Sequence, residues 1–302
     1  FQEFKKIKEL ELKYSSFGLS MNFDPTFLSF LEESLKNILS VNNDIVDYAS
    51  FLEFMIEFMQ RKEQNEMQPN ESEKETIKRV RSKLHQISNA YREGASNYQD
   101  LITAIRHSDN SLISLEAAKP LAIELMKSHA STRERIAILD VFYSQIFAAL
   151  PPIRSVLDLA CGLNPLAIPW MKLADHFTYE AYDIYRDIAL LLNVFFEKLN
   201  IRGKADSMNL LEEFPQSECD LTFLLKTIPC LEQVDKNAGT RILNQIRSPF
   251  AVVSFPIFSL SGRQKGMKVN YEKHFLEIYD PQRWELERML FPNELVFLMR
   301  RK

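Results

Sequence analysis

Apolar residues follow two different rhythms along the 302-residue chain. From residue 24 to about 60 they recur every three to four positions, at Phe27, Phe30, Leu31, Leu35 and Ile38, then at Ile45, Tyr48, Phe51, Leu52, Met55 and Phe58. That spacing lines one face of a 3.6-residue helix. Asp24-Pro25 suits its start. An aspartate oxygen accepts from the first unbonded N–H groups, and proline has no N–H to leave unbonded. The polar stretch 60–75 contains Pro69 and predicts a loop. Helical spacing resumes over 75–91, near 97–106, over 115–129 and over 132–150, until Pro151-Pro152 breaks the chain.

Beyond the prolines the rhythm changes. Residues 155–160 form a short apolar run suited to a strand buried on both faces. A loop with Gly162 follows, then a helix from about Pro165. The pattern next predicts a strand over 179–183, a helix over 185–199, a strand over 220–225, a helix over 231–246 and a strand over 250–255. A helix near 269–279 leads to two late strands, 284–290 and 295–299. Such alternation predicts an α/β fold with a parallel central sheet covered on both faces. The last two strands suggest a C-terminal antiparallel hairpin at one edge. The expected division is an all-α N-terminal domain over 1–128 and an α/β domain over 129–302.

Composition adds mostly exclusions. Lys and Arg number 37 against 41 Asp and Glu, a net charge of −4, so nothing global advertises a nucleic-acid partner. Charge is concentrated locally, however. The stretch 74–92 carries Lys74, Lys78, Arg79, Arg81, Lys83 and Arg92 against the single acid Glu75, and Arg263, Lys265 and Lys268 form a second cluster. Each fits phosphate contacts, and each equally fits a solvated helix face. Cys161, Cys219 and Cys230 form no CxxC pair, and the five histidines lack ligand spacing, so no disulfide framework and no metal site are expected. No apolar run approaches the ~20 residues of a membrane span, and no signal peptide is visible. A monomer in a reducing cytoplasm is the expectation.

Only seven glycines occur, which makes Gly162 informative. It follows the first predicted strand in Asp158-Leu-Ala-Cys-Gly162-Leu-Asn-Pro. Ligands of open α/β sheets sit beyond the carboxyl ends of the strands, and a glycine there lets the backbone approach closely. A dinucleotide would call for GxGxxG around its pyrophosphate; a single glycine with Pro165 behind it does not provide that. Asp183 closes the second strand 21 residues after Gly162, where an acid suits a ribose diol. One glycine plus that acid fits an adenosine ligand without pyrophosphate, namely S-adenosylmethionine. Asp158 reads either as part of this site or as a helix-capping acid, and Cys161 reads as a small buried packer. In His129-Ala-Ser-Thr-Arg-Glu-Arg135, Ser131 or Thr132 can cap a helix with Glu134 completing the arrangement, while Arg133 or Arg135 can reach a carboxylate. Trp170 reads as core more readily than as a stacking platform.

Five blocks carry a family resemblance. HASTRER at 129–135, LDLACGLNPLA at 157–167, AYDI at 181–184, FLLKTIPCLEQ at 223–233 and SFPIFSLSGRQKGM at 254–267 resemble the aminoglycoside-resistance 16S rRNA methyltransferases. Within that family the likeness is to the group that methylates guanine N7 in the decoding A site. It runs from about Ile77 to the end and includes KLHQISNAY at 83–91. The resemblance implies a Rossmann-like class I methyltransferase domain, a helical N-terminal domain that docks on the 30S subunit through 16S rRNA, and S-adenosylmethionine as methyl donor. It implies that Arg135 binds the methionine carboxylate and that Gly162, with Ala160, lines the methionine and ribose. Asp183 takes the ribose hydroxyls, Ile184 touches adenine, and Asp206 to Asn209, after the third strand, border it. Leu225, Lys226 and Gln233 frame the methyl-transfer side. Arg263 and Lys265 sit in a loop expected to face RNA, and the local charge of 74–92 gives Lys78, Arg79, Arg81 and Lys83 the same expectation. The first ~70 residues are longer than the family pattern, and Tyr185 stands where a polar or acidic residue is expected.

The chemistry implied is sparing. Guanine N7 has a lone pair and no proton, so no general base is needed and no acid/base dyad is expected; Lys226 is the one candidate for a direct part. The Asn/Asp-Pro-Pro-aromatic tetrad of amino-group methyltransferases is absent, with Leu225-Lys-Thr-Ile-Pro229 in its place. Adenine N1 at the same site, or a small molecule under a helical lid, are the alternative acceptors.

Overall fold

The computed structural model describes residues 98–107, 114–257 and 267–302. The chain divides into two compact units, Phe1–Lys83 and Leu84–Lys302, and every described residue belongs to the second. The helices expected over 24–60 and 75–91 lie outside the described residues, as do Lys78, Arg79, Arg81, Lys83, Arg263 and Lys265.

Helices α1 (Tyr98–His107) and α2 (Leu115–Met126) precede α3 (Ala130–Arg135), a 3-10 turn (Ile136–Ile138) and α4 (Leu139–Ala148). Past the proline pair come β1 (Ile153–Leu159), a 3-10 stretch (Asn164–Trp170), β2 (Leu173–Asp183), α5 (Arg186–Lys198), β3 (Arg202–Ser207) and β4 (Leu221–Leu225). Then follow α6 (Ile228–Leu231), α7 (Ala238–Gln245), β5 (Phe250–Pro256), α8 (Met267–Ile278), β6 (Trp284–Leu290) and β7 (Glu294–Arg301). The seven strands form one sheet in the order β3-β2-β1-β4-β5-β7-β6. The first five run parallel, and β7 pairs antiparallel with both β5 and β6. The order reverses beside β1, so the loops leaving β1 and β4 diverge and open a crevice at the carboxyl ends of the strands.

Strand β4, Leu-Thr-Phe-Leu-Leu, is buried at all five positions, which explains its unbroken run of large residues. Leu157, Leu159, Leu224, Val253, Phe255 and Phe297 form one core with Ile242 and Leu243 of α7 and Phe275 of α8. Phe275 stacks on Phe297 with ring centroids 4.2 Å apart. Burial of each such ring contributes roughly 1.5–3 kcal/mol. Asp158, between Leu157 and Leu159, points to the opposite face, toward Tyr179 of the neighbouring strand.

Five elements differ from the sequence pattern, the first being β2, which starts at Leu173 rather than 179. The apolar pattern predicts no strand over 202–207, because Arg-Gly-Lys-Ala-Asp-Ser is polar, and the resemblance ends its third strand before Asp206, yet β3 pairs there with β2 along the sheet edge through Ser207. Charges suit an edge strand that faces water and discourages pairing with other chains. Asp206 accordingly lies within β3, and its carboxylate pairs with Lys204 at 3.2 Å. The helix expected over 231–246 is two, because Asp235 accepts the Asn237 N–H (2.9 Å) and turns the chain ahead of α7. The helix expected over 132–150 is interrupted by the 3-10 turn at Ile136–Ile138. The segment from Pro165 is 3-10 rather than α-helical, with Pro169 inside it removing a donor.

Candidate active site

The loop that leaves β1 is built on left-handed backbone. Ala160 has φ +48° and Gly162 φ +50°. A Cβ on Gly162 would sit 2.8 Å from the Cε1 of His129, so the imidazole fills the space that the glycine leaves. The Gly162 N–H donates to Asp183 Oδ2 at 2.7 Å, and the Tyr185 N–H donates to Asp183 Oδ1 at 3.2 Å. Asp183 therefore holds the glycine loop of β1 against the end of β2. Burial raises its carboxyl to about 6, against the opposing pull of those two N–H groups. Next to it Ile184 is 53% exposed, an apolar surface with nothing over it among the described residues. Gly162→Ala is expected to cost about 1–3 kcal/mol, because alanine is strained at positive φ and collides with His129. Chemical denaturation measures this, and an unchanged midpoint would mean that the loop runs differently.

Beneath that loop lies a buried polar network. Asp158 is fully buried; its Oδ2 accepts from Asn164 Nδ2 at 2.8 Å and from the Tyr179 hydroxyl at 2.7 Å. Its Oδ1 has no hydrogen-bond partner among the described residues. Burial raises this carboxyl to about 7, the hydrogen bonds from Asn164 and Tyr179 opposing. Asn164 Oδ1 in turn accepts from Arg135 Nη1 at 2.9 Å and from the Tyr143 hydroxyl.

Arg135 is the hub. Its Nε donates to Glu294 Oε2 at 3.0 Å and its Nη2 to Glu294 Oε1 at 2.8 Å, a two-pronged pair, with the Phe142 ring 4.7 Å from Cζ. Residue 294 opens β7 and is completely buried. Burial alone would raise the Glu294 carboxyl, but Arg135, Lys226 and a hydrogen bond from Ser254 hold it below the usual range. Lys226, just past β4, is likewise buried and has φ +57°. Its backbone N–H donates to Ser254 Oγ at 3.1 Å, and its Nζ lies 2.7 Å from Glu134 Oε2 and 3.7 Å from Glu294 Oε2. Charges thus alternate from Arg135 through Glu294 and Lys226 to Glu134, and the four sum to zero.

The capping expectation for HASTRER is corrected by this arrangement. Helix α3 starts at Ala130 with no side-chain cap; Thr132 donates back to Met126 O at 2.9 Å, and Glu134 serves Lys226 instead. Of the other anticipated residues, Leu225 is buried at the end of β4, while Gln233 is exposed and donates to Pro229 O at 3.3 Å. Asn209 shapes a turn by accepting the Leu211 N–H at 3.1 Å. Cys161 is buried, and burial pushes its thiol well up, as an inert packer requires. Trp170 is half-buried under the Lys119 ammonium, 5.4 Å from the ring centroid, beside a cleft of about 380 Å³ shared with Val141 and Met171. No cluster of His, Cys, Asp and Glu among the described residues could hold a metal ion, and no described helix is long and apolar enough to cross a membrane.

Glu294, Asn164 and Tyr143 carry the network without having been anticipated. The only sequence signal for Glu294 is an acid that opens the apolar run Leu-Val-Phe-Leu-Met, where every residue through Met299 is buried.

A sheet in this strand order, with a tight glycine loop after β1 and an acid at the end of β2, defines the class I, Rossmann-like methyltransferases. Residues 56–298 match the family model for ribosomal RNA methyltransferase (FmrO). The chain belongs to that family. It is 36% identical over 231 residues to the 16S rRNA (guanine(1405)-N(7))-methyltransferase of Micromonospora rosea, covering 74% of this chain and 82% of that one. Among solved structures it resembles the 16S rRNA methyltransferase RmtF in complex with S-adenosyl-L-homocysteine, at 31% identity and a TM-score of 0.61, over 76% of this chain and 84% of the other. It also resembles the 16S rRNA methylase RmtB, at 26% identity and a TM-score of 0.60, over 77% and 85% of the two chains.

Proposed function

We propose that the protein transfers the methyl group of S-adenosylmethionine to N7 of a guanine in the decoding A site of 16S rRNA, within the 30S subunit, and so confers aminoglycoside resistance. The observation that carries the reading is the Gly162–Asp183 junction in a chain of the ribosomal RNA methyltransferase family. The residues fit the cofactor chemically. Gly162, at φ +50°, turns the loop tightly at the end of β1, Asp183 offers a carboxylate for the ribose hydroxyls, and Ile184 presents open apolar surface for adenine. Asp206 and Asn209 extend that adenine border. Arg135 is the cation for the methionine carboxylate, and Ala160 and Asp158 shape the floor beneath. S-adenosylmethionine supplies, when bound, a methyl group on a positively charged sulfur.

The rest is positioning. Guanine N7 has no proton to lose, so the protein needs no base and works by alignment. Leu225, Lys226 and Gln233 border the acceptor side, and the neutral charge ring keeps Lys226 from standing as a bare cation beside a methylated, positively charged base. Residues 1–128 form the docking domain of this proposal, with Lys78, Arg79, Arg81 and Lys83 on rRNA phosphates and Arg263 and Lys265 nearer the target base.

Incubation with labelled S-adenosylmethionine and purified 30S subunits, followed by mapping of the label, tests the proposal. Label on guanine N7 supports it; label on adenine N1, or on no RNA, points to the other acceptors. The triple substitution of Arg79, Arg81 and Lys83 by neutral residues is expected to weaken 30S binding and lower its salt slope by roughly one unit per lost phosphate contact, with cofactor affinity unchanged. Wild-type rates at every salt concentration would remove these residues from the interface.

A further inference from the structure

Resting on the reading that Arg135 binds the methionine carboxylate, the charge ring poses a problem that it also solves. Arg135 is 1% exposed, and its Nε, Nη1 and Nη2 all donate within the protein, two of them to Glu294. Glu294 holds the Nε–Nη2 edge, so a cofactor carboxylate that takes that edge competes with Glu294 for the guanidinium. Glu294 is buried completely and cannot turn to water. A buried carboxylate that loses its cation is strongly unfavourable, so Arg135 can leave it only if another cation steps in.

Lys226 is placed to do this. Its Nζ stands 3.7 Å from Glu294 Oε2, within ion-pair reach and just short of a hydrogen bond, while its close partner at 2.7 Å is Glu134. The Glu134 side chain is 36% exposed, so water can take over if Lys226 withdraws. The Ser254 hydroxyl already bonds Glu294 Oε1 at 2.5 Å and steadies it throughout. Among the described residues the other ionisable carboxyl beside this cluster is Asp158, which reaches Arg135 through Asn164. We propose that Lys226 is the standby counter-ion of Glu294: as Arg135 turns to the cofactor carboxylate, Lys226 shifts from Glu134 onto Glu294, and no buried charge is stranded. Lys226 is in this sense a positioning residue, acting on cofactor binding through Glu294 and Arg135.

The exchange gives opposite signs to neighbouring substitutions, which a merely structural role does not. By calorimetry with S-adenosylhomocysteine, Glu294→Gln is expected to bind at least fivefold tighter, since the competing charge is gone. Lys226→Met is expected to bind at least tenfold weaker, and Lys226→Arg close to wild type. The double variant Lys226→Met/Glu294→Gln is expected to recover the affinity of Glu294→Gln, because no carboxylate remains to be stranded; such non-additivity is the signature of coupling. If Lys226→Met fails to fold, Glu134→Gln, at a half-exposed site, provides the second reading: it frees Lys226 and is expected to tighten binding. Weaker binding by Glu294→Gln or by Glu134→Gln, or a double variant no better than Lys226→Met, overturns the exchange. Arg135→Ala separates the two levels. Unchanged affinity there removes the carboxylate reading itself, whereas a loss there combined with an additive cycle removes only the exchange.

Discussion

Glu294→Ala is expected to destabilise the folded protein by about 3–5 kcal/mol, because it leaves two buried cations, Arg135 and Lys226, without their shared carboxylate. For a unit of this size that is a fall in melting temperature on the order of 10 °C. Differential scanning calorimetry measures it. Glu124→Ala, which breaks the exposed pair with Lys127, is the control and is expected to cost less than about 1 kcal/mol. If both variants melt alike, the ring does not hold the fold together. The contrast comes from surroundings rather than geometry: the Glu124–Lys127 pair is as short, at 2.6 Å, but both partners stand in water that solvates either charge when its partner is removed.

Asp158→Asn is expected to gain stability relative to the wild type as pH rises from about 4 to 7. The Asp158 carboxyl is raised to about 7 in the folded protein from an ordinary 3.8, chiefly by burial. A raised folded-state value means that the stability contribution is fully present below about 4 and is lost as pH climbs through 7. Asparagine cannot ionise and keeps an oxygen for Asn164 and Tyr179, so it escapes that loss. The gap between the variant and the wild type is expected to widen by a few kcal/mol across the window. Denaturant titrations at a series of pH values read it directly, and a gap independent of pH would show that Asp158 does not take up a proton on folding.

What the sequence made legible follows from distance along the chain. Strands β1, β4 and β5 announce themselves because burial on both faces demands short, mostly apolar runs. Gly162 stands out because glycine is scarce here, and Asp183 because it closes a strand. Strand β3 was hidden for the opposite reason, since an edge that faces water needs no apolar residue to mark it. The split between α6 and α7 turns on one aspartate folding back on Asn237, a local bond that competes unseen with helical spacing. The charge ring was hidden by separation: Arg135 and Glu294 lie 159 residues apart, and no pattern within either segment refers to the other. HASTRER reads as a helix start when taken alone. Only the sheet shows that Glu134 and Arg135, adjacent in sequence, serve opposite ends of one ionic arrangement.

That separation also sets a schedule for folding. Glu294 opens β7, which must lie antiparallel along β5 before its carboxylate can reach Arg135 and Lys226. Pairings between distant segments form late, after local helices and hairpins, because closing a long loop has an entropic cost. A growing chain with β1 through β5 already made therefore holds Arg135 in a floor without its carboxylate, while Lys226 has only Glu134. The final hairpin thus neutralises this floor, and chains that stop short of β7, although they carry both Gly162 and Asp183, hold Arg135 without its carboxylate.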